Sequence, residues 1–383
     1  MQPEFINGPT NYAYLKGNID GIEKEIHLFF DKHFDLDDQT RCKSYNSIDI
    51  SYYLYKLIKE STEPLDFFME IRTSQIDEPN SNKRDIYIKD VINLFKSEFT
   101  LKKNDNLNVE HSDTNPNVRL HYFDIRDHLN IFYLTKITTQ KIIKYINLLN
   151  TPDEKNKSKY IEKILNYLNL IASEIEILNY NTKEVSENKK NIVYDKKSNK
   201  QKYYLDKIIN KYENINLGKN INIFLDIHCK AVINKIDVLI QNIKYMVTNK
   251  ILMDKDKIRK ITDELGENIL QLYCFYTDAY LLRRILDKNY VKKSIIYSGG
   301  SHSVNYIYFL VKFCNFKIIK INISKEKNID ELMKKINNEI YSFDIYDLFL
   351  LKKINVQCIR YVPLGLNDTI SAGLRKYSLY NTL

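Results

Sequence analysis

The sequence predicts an α/β fold: a mostly parallel sheet flanked by helices, with a large helical insertion between the early and late strands. Three observations predict it. Short apolar runs of strand length alternate with stretches whose apolar residues recur at helical spacing. No glycine occurs between Gly21 and Gly218, and no proline between Pro152 and Pro363, so the long middle is free to be helical. After residue 290 the pattern returns to strand, helix, strand.

The elements follow in order. "EIHLFF" (25–30) is an apolar run of strand length. "SIDISYYLYKLIKES" (47–61) has helical spacing, with Ser47 as the N-cap. "PLDFFMEI" (64–71) is a second buried strand, and "RDIYIKDVINLFKSEF" (84–99) a second helix. A loop at 104–117 leads to the strand "VRLHYFDI" (118–125). Helices are expected at about 129–149, 157–179, 201–213, 222–249 and 255–288. "KSIIYSGG" (293–300) is a strand, "SVNYIYFLVKFC" (303–314) a helix, and "FKIIKINI" (316–323) and "VQCIRYVPL" (356–364) are strands. Residues 1–128 thus read as the N-terminal half of the core, and 291–383 as its C-terminal half. Between them, 129–290 reads as a helical subdomain carrying a flexible Lys-rich loop, 181–202.

Composition narrows the class. The 383 residues are 44% hydrophobic, enough for a substantial core. The net charge of +9 permits contact with nucleic acid but does not demand it. Part of it lies in 181–202, where seven Lys face three acids; such a run reads as a solvated loop. Lys, Asn, Ile and Tyr have AT-rich codons, which weakens any inference from the charge. Five scattered cysteines with no CxxC predict a reducing compartment without a disulfide framework. No secretory h-region opens the chain, and no apolar run approaches the ~20 residues of a membrane span. The expectation is an intracellular, cytoplasmic protein. P-loop, GxGxxG, GxSxG and HExxH motifs are missing, which disfavours ATPases, dinucleotide oxidoreductases, common serine hydrolases and zincins.

Four expected strands end in polar groups. They are Asp31, Lys32 and His33; Glu70 and Arg72; Asp124, Arg126, Asp127 and His128; and Ser298, Gly299, Gly300, Ser301 and His302. In open α/β sheets the ligand crevice lies outside the carboxyl ends of the strands. If these strands are neighbours, the clusters converge into a set suited to activating water or holding a metal. Arg72 or Arg126 would then steady an oxyanion. Asp124, Gly299, Gly300 and Ser301 would line the substrate side. Each cluster also has a plainer reading: a solvent-facing His33, or a structural Glu70–Arg72 pair on one strand face. In "FYTDAYLLRRIL" (275–286), Asp278 and Arg284 are further candidates, Asp278 because its neighbours are mostly apolar. His121 and His228 read as core histidines.

"FDKH" (30–33), "FFMEIR" (67–72) and "GGSH" (299–302) together resemble the erythromycin esterase, ChaN and TraB/TIKI superfamily of hydrolases. The spacing of the same segments also resembles uncharacterised proteins of large DNA viruses, so a virion association is an alternative location. The resemblance implies an α/β core with a helical insertion and a site at the strand ends. It implies His33 and His302 as paired histidines, Glu70 as the central carboxylate, Asp31 as the acid of the first turn and Arg72 as the nearby cation. A divalent metal, zinc or manganese, held by His33, Glu70 and His302 is one implied form; histidine activation of water is the other. The substrate would be a small molecule or a peptide. One departure is Phe30 in place of the glycine expected before Asp31. Two alternatives follow: an inactive relative that binds or joins the virion, and a basic nucleic-acid-binding protein.

Overall fold

The computed structural model describes residues 3–32, 38–70, 86–99, 109–149, 151, 154–187, 200–249, 255–349 and 356–364. Among the described residues the main sheet has seven strands. They are β2 (Asn11–Ile19), β3 (Ile22–Asp31), β5 (Leu65–Met69), β6 (Val109–His111), β7 (Val118–Tyr122), β8 (Lys293–Gly299) and β9 (Lys317–Ile321). Their order is β6-β7-β5-β8-β3-β2-β9. The four central strands β7, β5, β8 and β3 are parallel. β6, β2 and β9 are antiparallel to their neighbours. The sheet is therefore mixed, with a parallel centre of four strands and antiparallel edges.

The central strands explain themselves. β5 is buried at every position and β8 at its five inner ones, as strands covered on both faces must be. Their sequences accordingly read as apolar runs. β2 and β3 form a hairpin through Asp20 and Gly21, both at positive φ (50° and 83°). That is the two-residue turn that matches strand twist, and Asp-Gly is its preferred sequence. Within β2, Gly17 lets the Phe316 ring lie against the backbone; a Cβ there would sit 2.3 Å from it.

A second sheet, β10-β1-β4, joins distant segments: β1 (Phe5–Asn7), β4 (Ser47–Asp49) and β10 (Cys358–Arg360). Cys42 and Cys358 form a disulfide beside it, with Cα atoms 5.0 Å apart. This corrects the expectation of no disulfide. The two cysteines lie 316 residues apart, so no local motif announces them. Thr40 and Gln357 reinforce the bridge with two reciprocal backbone-to-side-chain hydrogen bonds, 3.1 and 2.8 Å.

The helices are α1 (Ile50–Glu60), α2 (Ile86–Glu98), α3 (Asn130–Leu149), α4 (Lys157–Glu187), α5 (Lys200–Ile209), α6 (Ile215–Thr248), α7 (Lys255–Leu286), α8 (Gly300–Cys314) and α9 (Ile329–Asn338). Five of them, α3 to α7, lie between β7 and β8, as the expected helical insertion does. Ser47 belongs to β4, and Asp49 is the residue before α1, so Ser47 is not its cap. Residues 181–187 of the Lys-rich stretch are helical, and 188–199 lie outside the described residues.

Two buried devices fix α7 against the sheet. Lys24 donates to the carbonyls of Ile285, Lys288 and Val291 at 3.2, 2.7 and 2.6 Å, satisfying acceptors that a helix end leaves open. Burial pushes its pKa down to about 8. Asp66 on β5 takes both forks of Arg119 at 2.7 Å and the His121 Nε2–H at 2.7 Å. His121 Nδ1 then accepts from Arg284 of α7 at 2.9 Å. His228 is the satisfied core histidine expected: Nε2 accepts from Ser342 N–H, so Nδ1–H donates to Phe224 O, each 2.8 Å.

Candidate functional site

The parallel centre brings the four polar strand ends side by side, on β7, β5, β8 and β3. Immediately beyond them runs a chain of buried charges of alternating sign. Asp124, two residues past β7, clamps the Arg126 guanidinium at 2.6 and 2.8 Å. Arg126 Nη2 reaches Glu70 Oε1 at 3.1 Å. Glu70 Oε1 faces His302 Nε2 at 3.2 Å, and Glu70 Oε2 accepts the Gly299 N–H at 2.8 Å. His302 Nδ1 meets Asp278 Oδ1 at 2.5 Å. Asp278 Oδ2 accepts from Asn305 Nδ2 at 2.7 Å, and Asn305 Oδ1 accepts from the Tyr346 hydroxyl at 3.2 Å.

Local structure sets each member. Glu70 is the first residue past β5, and the N-terminus of α8 faces its carboxylate with favourable partial charge. His302 lies in the first turn of α8, and Asp278 on α7 approaches it from the helical layer. The 3-10 turn Arg126–His128 folds Arg126 back over Asp124.

Electrostatics decide the protonation. Burial opposes charge on His302, but Asp278 and Glu70 outweigh it and hold its pKa well above 6.5. Both ring nitrogens face carboxylates, so the ring is an imidazolium. Burial likewise opposes Arg126, and Asp124 and Glu70 overcome it, keeping the guanidinium charged. Buried charges of this kind persist only when each is paired, and here each inner member has a partner on both sides. Side-chain exposure is 17% at Arg126, 7% at Glu70 and His302, and 0% at Asp278. Arg126, Glu70 and His302 are therefore the members nearest solvent, while Asp278 holds the ring from the buried side.

Replacing Asp278 by Asn should cost about 3–5 kcal/mol, because it leaves a buried imidazolium half compensated. The urea midpoint reads the loss, and the His302 pKa followed by NMR should fall. A midpoint within error of wild type would show that the ring is not held as a cation.

The expected site residues divide as follows. Glu70, Arg126, Asp124, His302, Asp278 and Gly299 meet in this chain. Asp31 ends β3 one strand away and accepts from the Tyr297 hydroxyl at 3.1 Å. Gly300 and the exposed Ser301 begin α8. Neither Gly299 nor Gly300 has a positive φ, so the turn does not depend on their left-handed freedom. Arg284 is not brought here; it binds His121 and the Tyr122 carbonyl. His33 and Arg72 lie outside the described residues. Phe30 is fully buried and packs on Phe349 at 6.2 Å. Reading the sequence missed Asn305, Tyr306 and Tyr346. The available signal was helical spacing: His302 and Tyr306 are i and i+4 on one helix.

Of the three ligands expected for a divalent metal, Glu70 and His302 are described and His33 is not. Among the described residues no group of three His, Cys, Asp or Glu is placed to hold one. Glu70 and His302 are bonded to each other, with the Arg126 cation against the same carboxylate oxygen. As placed, Glu70 Oε1 and His302 Nε2 face each other across a proton at 3.2 Å.

Comparison with known proteins agrees along most of the chain. No solved structure matches. The uncharacterised protein R706 of Acanthamoeba polyphaga mimivirus is 29% identical over 86% of this chain and 89% of its own length. The uncharacterised protein R161 of the same virus is 30% identical over 87% of this chain and 92% of its own length. R160, also uncharacterised, is 26% identical over 84% and 88%. Among the described residues no helix is long and apolar enough to cross a membrane. The model of the family of unknown function DUF5847 matches residues 4–262 and 252–362, taking in both halves of the sheet and the helices between them, and the chain belongs to that family.

Proposed function

We propose that the strand-end site hydrolyses an acyl bond, an ester or a peptide amide, as the erythromycin esterase/ChaN/TraB–TIKI resemblance implies. One observation carries the reading: His302 is held as a proton donor between Asp278 and Glu70, with Arg126 against the same Glu70 oxygen. Glu70 takes the proton of the attacking group. His302 gives its Nε2 proton to the leaving group and is reprotonated from Glu70, 3.2 Å away. Arg126, the most exposed member, faces the oxyanion.

Nitrophenyl esters and fluorogenic peptides test it. Glu70→Gln should lower turnover by about 10²–10⁴, the usual worth of a positioned acid–base group. A folded Glu70→Gln variant as active as wild type would overturn the assignment. A second reading is supported by the saturation of the same groups. Both Glu70 oxygens and both His302 nitrogens are already bonded within the protein, which suits an inactive, hydrolase-like binding protein. Absence of turnover on every substrate by a fully folded wild type would favour it.

A further inference from the structure

We infer that the solvent face of the α3–α4 hairpin binds single-stranded nucleic acid, a function separate from the strand-end site. Three tyrosines and three lysines interleave there. On α4, Tyr160, Lys163 and Tyr167 recur at intervals of three and four, so they share one face. On α3, Lys141, Lys144 and Tyr145 do the same. The two faces meet. The Tyr145 ring lies 6.0 Å from the Tyr160 ring and 6.0 Å from the Tyr167 ring, with planes 33° and 20° apart. Tyr160 and Tyr167 are about 10 Å apart along α4, so Tyr145 sits between them. Lys163 Nζ donates to the Tyr145 hydroxyl at 3.0 Å and lies 4.9 Å from its ring centre. Lys141 Nζ lies 5.4 Å from the Tyr167 ring centre.

The charge on this face is uncompensated. Lys141 and Lys144 are exposed, and the three rings are half-buried. Among the described residues none of the three lysines forms an ion pair. Other cations of the helical layer do: Lys211 with Asp206, Lys230 with Asp226 and Arg259 with Asp263. The hydrogen bond from Lys163, with the charges of Lys163, Lys144 and Lys141, draws the Tyr145 hydroxyl pKa below its usual 10.

Such a face fits a ligand that is both anionic and flat. Unpaired bases stack on tyrosine rings while phosphates neutralise lysines, the combination that holds single strands without reading their sequence. A duplex hides its base faces, and an acidic peptide would use the lysines but not the rings. Tyr145 lies about 22 Å along α3 from Asn130, where the helix leaves the Arg126 turn, so the strand-end site stays clear of the bound strand.

The test is fluorescence anisotropy of the full chain with labelled oligothymidylate and oligouridylate, from about 50 to 200 mM salt. Both strands should bind, less tightly as salt rises. Replacing Lys141, Lys144 and Lys163 together by Gln should flatten the slope of log affinity against log salt by about 2, since each phosphate contact of a single strand contributes about 0.7. Taking the same charge from Lys219, Lys244 and Lys260, on α6 and α7, should flatten it far less. Tyr145→Leu keeps the apolar packing and removes the aromatic face; it should weaken binding about 10-fold and leave the slope unchanged. Unfolding midpoints check the variants, and if Tyr145→Leu does not fold, the two lysine triples decide. Equal loss from both triples overturns the inference, because the charge then acts diffusely. So does a folded Tyr145→Leu that binds as wild type, or a duplex that binds more tightly than either strand. Binding to phosphatidylserine vesicles or polyglutamate with none to either strand also overturns it. Tighter binding of oligouridylate supports an RNA ligand, and of oligothymidylate a DNA ligand.

Discussion

Reducing the Cys42–Cys358 disulfide, or replacing both cysteines by serine, should lower the unfolding free energy substantially. The bridge closes a loop of 316 residues. Loop-closure entropy for that length sets a ceiling of about 6 kcal/mol, because the cross-link acts mainly by confining the unfolded chain. The native side is not idle. Thr40 and Gln357 pair beside the bridge, the Tyr53 hydroxyl donates to Val362 O at 2.6 Å, and Lys293 donates to Leu364 O at 2.8 Å. The C-terminal segment should therefore stay docked after reduction, so the loss falls on the unfolded state. Urea unfolding with and without reductant measures it: the midpoint should drop while native circular dichroism is unchanged. An unmoved midpoint would mean that the two thiols are not joined in solution.

Acidification below pH 6.5 should have an effect of similar or greater size. Burial holds the His27 pKa down to about 3, and those of His121 and His228 down to about 4, so all three are neutral in the native protein. His27 Nδ1 is bonded to the Tyr12 hydroxyl at 2.7 Å, and both ring nitrogens of His121 and of His228 are bonded as described above. Once unfolded, all three take up protons near pH 6.5. Between 6.5 and 4 the unfolded chain thus binds more protons, and stability falls as pH falls. Each histidine contributes about 1.4 kcal/mol per pH unit, or about 10 kcal/mol for three across the window as a ceiling. His302 has the opposite sign. Its folded pKa is raised, so its contribution is complete below 6.5 and is lost as pH rises through the folded value. Stability should therefore peak near pH 6.5 and decline slightly toward 8. Urea midpoints from pH 4 to 8 check this, and a flat profile on the acid side would refute the neutral-histidine assignment.

Elements with strong local signals were legible in the sequence. "LDFFM" and "SIIYS" are buried on both faces, as central parallel strands are, and the long middle without glycine or proline is largely helical among the described residues. Glu70, Asp124, Arg126 and His302 were found because strand ends of parallel neighbours share one edge. What escaped depends on other information. β2 was overlooked although Asp20–Gly21 announces its hairpin, since "NYAYLKGNI" alternates weakly. β1, β4 and β10 have three residues each and exist only because distant partners pair with them. The disulfide and the packing of α7 against α8 are equally non-local, so neither periodicity nor composition reports them.

The order of the sheet has a consequence for how the chain is made. β8 lies between β5 and β3, yet it is synthesised long after both. From Tyr122 to Lys293 a ribosome takes about 10–30 s at ordinary elongation rates. During that time the β2–β3 hairpin and the β5, β6 and β7 strands wait as separate parts, with β3 and β5 each lacking the partner that β8 will supply. The keystone that joins the halves also carries Gly299 and leads into His302, so closure of the sheet and assembly of the charge chain are one event.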